Sequence, residues 1–271
     1  MNMDADRPGP APPIPPNLGS VWTRPQPQRR QKEQLTRERI VAEALRLLDE
    51  EGMEALSMRS LGQRLGAGAT SLYRHVASKD ELIELVADAV YGEIEVPEVA
   101  DPAEWRQATV IMAHSLRTAG LRHMWMSQVL GQVGMSYLGP NVVSVTERGL
   151  AVLTAAGFDQ EEAARALGTI SSFVIGITAT EAGWLSALRR NGYEERDWLQ
   201  ILGPTVIESA ASAGITDYYL ELLKRDPEQV RMENFNYGLD LMLDSLQTRL
   251  TARLAAGSPS ARQPETAEPK K

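Results

Sequence analysis

The sequence predicts an all-α protein, and three observations predict it. Apolar residues recur three and four apart along most of the chain, the spacing of one helix face. Helix start signals punctuate that pattern: a capping side chain followed by proline or an acid, as in Asp101-Pro-Ala-Glu104, Asp159-Gln-Glu-Glu162 and Asp226-Pro-Glu-Gln229. There is no succession of alternating strands and no internal repeat. The expected architecture is an N-terminal three-helix helix-turn-helix domain followed by a larger helical ligand-binding and dimerisation domain, with about nine or ten helices in all.

The first helix is expected from Arg37 to about Glu50. Ile40, Ala44, Leu47 and Leu48 share one face, Thr36 is the N-cap and Gly52 the stop. Ser57 caps the second helix, which carries Leu61 and Leu65 inward and ends at Gly66. The third begins near Gly68 and turns Leu72 and Val76 toward the core. Only a few residues separate the second and third helices, the outline of a helix-turn-helix. Ser78-Lys-Asp-Glu81 reads as a capping box opening a fourth helix through Leu82, Leu85, Val86, Ala89 and Val90 to Val96, before Pro97. That fourth helix is expected to join the two domains.

Further helices are expected after Asp101, from Gly139-Pro140 to Gly157, after Asp159 through Leu167, Ile170, Phe173, Val174, Ile177 and Ala179, and after Asp226 through Phe235, Leu239, Met242, Leu243, Leu246 and Leu250. The helices after Asp159 and Asp226 carry small residues near their apolar faces: Ala164, Gly168, Gly176, Ala179 and Gly238. Small residues let helices approach closely. Both helices therefore suit a four-helix bundle between two subunits, or plain intramolecular packing. The domain boundaries expected are 1–31, 32–96, 97–255 and 256–271. The first segment holds eight of the sixteen prolines, and the last is rich in Ala, Pro, Ser and Glu; both read as loose tails. Arg29-Arg-Gln-Lys32 makes the end of the first tail basic, either an arm along DNA or a solvated run.

Composition narrows the function. With 271 residues and 43% apolar content, the chain can fill one small and one larger helical domain. It has no cysteine, which removes disulfides, thiol nucleophiles and thiolate metal sites. No signal-peptide core and no membrane-length apolar run stand out, so a cytoplasmic protein without membrane contact is expected. A helical enzyme is poorly supported: three histidines, no glycine-rich phosphate loop after a strand and no paired carboxylates leave little to do chemistry. No metal and no cofactor are expected. A protein-interaction adaptor using the helix-turn-helix as a packing module is the other alternative. The net charge of −8 does not exclude nucleic acid, because phosphate binding depends on the docking face alone.

The third helix carries a phenol, a guanidinium and an imidazole in succession, Tyr73, Arg74 and His75. Phosphates and base edges are read by such donors. Lys79 and Arg59 add cations at the starts of the fourth and second helices. Singly, Tyr73 reads as a packing residue and each cation as a solvated charge. Their grouping on one compact helical triplet is what points to DNA.

These residues carry a resemblance. Thr36 to Glu93 resembles the DNA-binding domain of the tetracycline-repressor (TetR) family. The matching elements are Ala44-Leu-Arg-Leu-Leu48, Gly52, Leu56-Ser-Met-Arg-Ser-Leu61, Leu65-Gly66, Ser71-Leu-Tyr-Arg-His-Val76 and Lys79-Asp-Glu-Leu82. The resemblance implies that Arg59, Ser71, Tyr73, His75 and Lys79 contact DNA and that Thr70 reads bases. Ala69 departs from the tetracycline repressor's nearer relatives, which carry glutamine there, and so implies a different operator. More loosely, Gly139-Pro140, Ala156-Gly-Phe158 and Phe235-x-x-Gly238-Leu239 are similar to the C-terminal domain of the tetracycline-repressor type.

A stretch rich in methionine, Met112 to Met135, suggests where an apolar effector sits. The candidate ligand contacts are Met112, Leu116, His123, Trp125 and Met126, with Phe173 and Trp184 closing the far side. The alternative for such a stripe is ordinary core, and for His114 and His123 a structural hydrogen bond. Neither tetracycline nor a bound metal is expected. The working expectation is a homodimeric repressor that leaves a palindromic double-stranded DNA operator when a small apolar molecule binds; a ligand-independent regulator or an activator is the alternative.

Overall fold

The structure, a computed structural model, describes residues 35–133, 139–211 and 216–257. The proline-rich segment 1–31, the Arg29–Lys32 basic run, Met135 and the tail beyond Gly257 lie outside the described residues. Among the described residues there are eleven α-helices and no strand. In chain order they are α1 (Arg37–Glu51), α2 (Met58–Arg64), α3 (Ala69–Leu72), α4 (Lys79–Tyr91), α5 (Trp105–Arg122), α6 (Met126–Val133), α7 (Pro140–Ala156), α8 (Gln160–Arg190), α9 (Glu195–Ala211), α10 (Thr216–Lys224) and α11 (Pro227–Gly257). The count exceeds the nine or ten expected. The α9–α10 hairpin carries Pro204 inside α9, a residue that reads as a helix break in sequence.

Local chemistry sets the N-terminal triplet. Thr36 accepts from the Arg39 N–H and so caps α1. Gly52 closes α1 at φ 80°. Ser57 and Ser60 form a reciprocal capping box on α2, each side chain accepting the other's backbone N–H at 3.0 Å. Gly66 turns the chain at φ 60°, the left-handed region glycine adopts without strain. Close by, the Ala67 N–H donates to the Gly62 carbonyl at 2.8 Å, and a Cβ on Gly62 would lie 2.8 Å from the Ala67 carbonyl oxygen. Only glycine permits this tight turn. Ile40, Leu47, Leu61, Leu72, Val76 and Leu82 fill the core beneath. Arg64 binds α2 back to α1 through Glu43 at 2.7 Å, Glu51 at 2.9 Å and Glu50.

Two expectations for α4 change. Ser78 accepts from the Glu81 N–H at 3.0 Å, but the Glu81 carboxylate accepts from Ala77, at 2.6 Å, one residue before the cap. The helix also ends at Tyr91, not Val96. Gly92 closes it, and the chain runs extended with Ile94 and Val96 buried on alternate positions. Pro97 holds the residue before it out of the helical region. The Glu95 N–H donates to Ser115 on α5 at 2.8 Å, which pins this link to the larger domain.

In that domain α5 runs centrally, packed on α8, α7 and α4. Asp88 of α4 caps α7: its carboxylate accepts from the Asn141 and Val142 N–H groups at 3.0 and 3.1 Å. α7 ends at Gly157, φ 110°, and Asp159 caps α8. α8 and α11 lie against each other. A Cβ on Gly238 would sit 2.5 Å from the Phe173 ring, and Phe173 stacks on Phe235 at 5.9 Å. Gly238 therefore serves packing within the chain. An 18-residue window of α8 reaches a mean hydropathy of 1.2, long and apolar enough by that measure alone to cross a membrane, contrary to the sequence expectation; a third of the window is buried within the protein. The same helix carries the buried Glu181.

Candidate functional site

From Ser57 to Lys79 the chain holds four cations, Arg59, Arg64, Arg74 and Lys79, and no Asp or Glu. Arg64 is already taken by Glu43, Glu50 and Glu51, which leaves Arg59, Arg74 and Lys79 without a carboxylate partner among the described residues; Glu81 pairs with Arg37 at 2.6 Å. A cationic stretch thus survives in an acidic chain. On it Tyr73 is 53% exposed, which departs from the packing role its type alone suggests. Arg59, Thr70, Arg74 and Lys79 are also exposed, and Ser71 and His75 are half-buried. The burial of Leu72 and Val76 decides this, because it turns the intervening residues outward. Five of the six predicted contact residues lie on α3, the turn after it and the start of α4; Arg59 lies on α2. Arg37 braces that turn by donating from Nε to the His75 carbonyl at 3.2 Å. The hub formed by Arg37, Glu81 and Ala77 was not anticipated from the sequence, since its members lie far apart in the chain.

The seven predicted ligand contacts do not converge on one cavity. Leu116 and Met126 line a small apolar cavity of about 20 Å³, together with Val90, Tyr91, Ile94, Ala119, Gly120, Ile175 and Thr178. Burial pushes the Tyr91 phenol above its ordinary pKa. Thr178 is 3% exposed, and its hydroxyl has no hydrogen-bond partner among the described residues. Other threonines on α8 return their hydroxyls to the helix, as Thr180 does to the Gly176 carbonyl at 2.9 Å. No sequence signal singled out Thr178. Met112 packs near Gly149 instead. His123 and Trp125 both bond Asp49 of α1 at 2.8 Å. Phe173 lies against Phe235 and Gly238, and Trp184 donates to Glu195 at 2.8 Å.

Beside this region lies a buried ionic network. Arg117 donates to both Glu181 oxygens at 2.8 and 2.7 Å, and Arg231 donates to Glu181 at 2.7 Å and also to Glu195. It ties α5, α8, α9 and α11 together.

Known proteins match this order of a helix-turn-helix followed by a larger helical domain. The family profile described as bacterial regulatory proteins, tetR family, fits residues 40–86. The profile for the tetracyclin repressor-like C-terminal domain fits residues 97–250. The chain belongs to the TetR family. It is a DNA-binding transcriptional regulator. A relative, an HTH-type transcriptional regulator of Saccharopolyspora erythraea, is 40% identical over 166 residues, 61% of this chain and 69% of that protein. The HTH-type transcriptional repressor DrrR1 of Streptomyces coeruleorubidus is 30% identical over 243 residues, 89% of this chain and 88% of its own. Among TetR-family structures, ActR of Streptomyces coelicolor in complex with actinorhodin superposes with a TM-score of 0.65 at 30% identity, covering 84% of this chain and 100% of that one.

Proposed function

We propose that the protein is a homodimeric, cytoplasmic repressor, without enzymatic activity, that leaves a palindromic operator when a small apolar molecule enters its larger domain. The observation that carries the reading is the acid-free turn, where Arg59, Thr70, Tyr73 and Lys79 stand exposed with no intramolecular side-chain hydrogen bond or ion pair among the described residues. Groups left unpaired at a helix start suit phosphates and base edges. In this reading residues 32–96 form the DNA-binding domain and residues 97–255 the effector and dimerisation domain. Arg59, Ser71, Tyr73, His75 and Lys79 contact DNA, and Thr70 reads bases.

Two reading turns must reach successive major grooves, about 34–36 Å apart. A dimer meets that need. The exposed small residues Gly168, Ser172 and Gly176 of α8, beside the exposed Tyr237 and Leu241 of α11, support two helices from each subunit in the contact. The effector site proposed is the cavity at Leu116, Met126 and Thr178. Its lining is apolar with one unmatched hydroxyl. At about 20 Å³ the cavity is water-sized, so an apolar effector bearing a hydrogen-bonding oxygen enters only if the surrounding helices part; the TetR family protein ActR has been solved in complex with actinorhodin. Such a molecule acts only by binding one conformer more tightly than the other. Tyr91 and Ile94, at the end of α4 and just beyond it, line the same cavity and offer the lever.

The test is selection of bound duplexes from a random pool by purified protein. A palindromic consensus is expected, weakened by Tyr73→Ala, with Lys79→Ala lowering the salt slope by about one. No enrichment at moderate salt refutes the reading.

A further inference from the structure

His123 ends α5 at the point where three parts of the molecule meet. Its ring is 2% exposed. Nδ1 lies 2.8 Å from an Asp49 carboxylate oxygen, and Nε2 lies 3.2 Å from a Glu93 carboxylate oxygen. Asp49 belongs to α1 of the DNA-reading triplet, and Glu93 to the link beyond α4. One imidazole therefore spans the triplet, the lever and the effector domain.

An ionised carboxylate only accepts hydrogen bonds, and a neutral imidazole donates from one nitrogen alone. Both contacts are hydrogen bonds only when the ring is an imidazolium. A neutral ring turns a lone pair on one of the two acids. The other groups at the joint are Arg122, which pairs with Glu93 at 2.7 Å, and the Trp125 indole N–H, which donates to the same Asp49 oxygen at 2.8 Å. With His123 protonated, two cations meet two anions. Without that proton the joint holds an uncompensated negative charge. The effector cavity lies close by: the His123 carbonyl accepts from the Met126 N–H at 2.8 Å, and Met126 lines the cavity.

We propose that His123 is a proton-dependent positioning residue: as the imidazolium it latches the DNA-reading triplet to the effector domain, and loss of the proton loosens that joint. Burial opposes its charge, but Asp49 and Glu93 together outweigh burial and raise its pKa above the ordinary 6.5. A raised folded pKa gives a latch that is complete below pH 6.5 and is lost as pH rises through the folded value. Trp125 still holds Asp49, and Arg122 still holds Glu93. Deprotonation therefore loosens the joint along the ring without unfolding either side. The effect on DNA rests on the repressor reading; the latch does not.

The experiment is a ring-nitrogen NMR titration of the full-length protein, with His123 assigned by the signal missing in His123→Gln. The expected result is titration above 6.5 with both ring nitrogens protonated below it, moved down by Asp49→Asn and by Glu93→Gln. Titration at or below 6.5, or indifference to both substitutions, overturns the latch. The second arm measures affinity at pH 6.5 and 8.5, at constant ionic strength, for a duplex selected from a random pool. The wild type should change by up to about tenfold per pH unit, the limit for one linked proton. His123→Gln, which keeps His75, should flatten that change. Identical pH profiles in the two proteins overturn the coupling to DNA. No duplex binding at any pH sinks the repressor reading instead, and the NMR arm still decides the latch. Should His123→Gln fail to fold, Glu93→Gln, with a side chain 31% exposed, serves both arms.

Discussion

Glu181→Leu should be among the most damaging single changes available outside the DNA-reading triplet. The Glu181 and Arg117 side chains are each 6% exposed, and Glu181 accepts every side-chain hydrogen bond that Arg117 donates to a carboxylate. Arg117 Nε is already buried without a partner. Removing the acid leaves a guanidinium whose remaining neighbours include the Phe235 ring at 5.4 Å and the Met232 sulfur at 4.0 Å. A buried charge stripped of its partner costs about 3–5 kcal/mol. Arg231 loses one bond but keeps Glu195 and is a fifth exposed, so it adds little. At roughly 2–4 °C per kcal/mol for a domain of this size, the midpoint should fall by about 6–20 °C. The decisive comparison is Arg117→Met with Glu181→Leu together. Replacing both charges by apolar groups of similar volume is often neutral or stabilising, so the double variant should recover most of the loss. The assay is thermal and urea unfolding followed by helical circular dichroism, at fixed protein concentration because a dimer's stability depends on it. A single variant costing under about 1 kcal/mol, or a double variant as unstable as the single, would show that the pair is not buried in the way described.

Three further outcomes follow from the same geometry. Gly238→Ala drives a methyl into the Phe173 ring; the overpacking of about 1–3 kcal/mol should exceed the roughly 1 kcal/mol gained in helix propensity, and Phe173→Leu should restore stability in thermal melts. Glu81→Ala removes the acceptor shared by Arg37 and the Ala77 N–H; it should weaken binding to a selected duplex while costing no more than about 1–2 kcal/mol in unfolding, and unchanged binding would refute the bracing role. Thr178→Val exchanges an unmatched buried hydroxyl for a methyl of the same shape; the free protein should gain about 1 kcal/mol, whereas a loss in calorimetry would mean the hydroxyl is satisfied in the fold.

Helix class and most helix starts were legible because their causes are local. Thr36, Ser57, Asp101 and Asp159 each accept from an N–H two or three residues on, so these caps appear where they were expected, the one at Asp101 opening a 3-10 turn just before α5; Pro140 starts α7 without a side-chain cap. The end of α4 was not legible. Leu82 to Val96 keeps enough apolar spacing to pass for one helix, and only Gly92 and the bond from Glu95 to Ser115 break it. No helix start was read between Ala179 and Asp226, where α9 and α10 lie. The exposure of Thr70, Tyr73 and Arg74 was readable, since the burial of Leu72 and Val76 fixes which way a short helix points.

Sequence-local chemistry thus settles which segments are helical, where the triplet turns, and which of its side chains are left outside the core. Joints between distant segments are a matter for the folded chain alone. Nothing in the order of residues says that His123 meets Asp49 and Glu93, that Arg117 meets Glu181, or that Gly238 makes room for Phe173. Each of these depends on the crossing of α5, α8 and α11 and on how the triplet sits against them. Periodicity assigns a residue to the buried face of its helix, and packing alone chooses the neighbour it meets there. For the methionine and tryptophan stripe, that choice separates Met126 at the cavity from Trp125 on the latch, one residue apart in the chain.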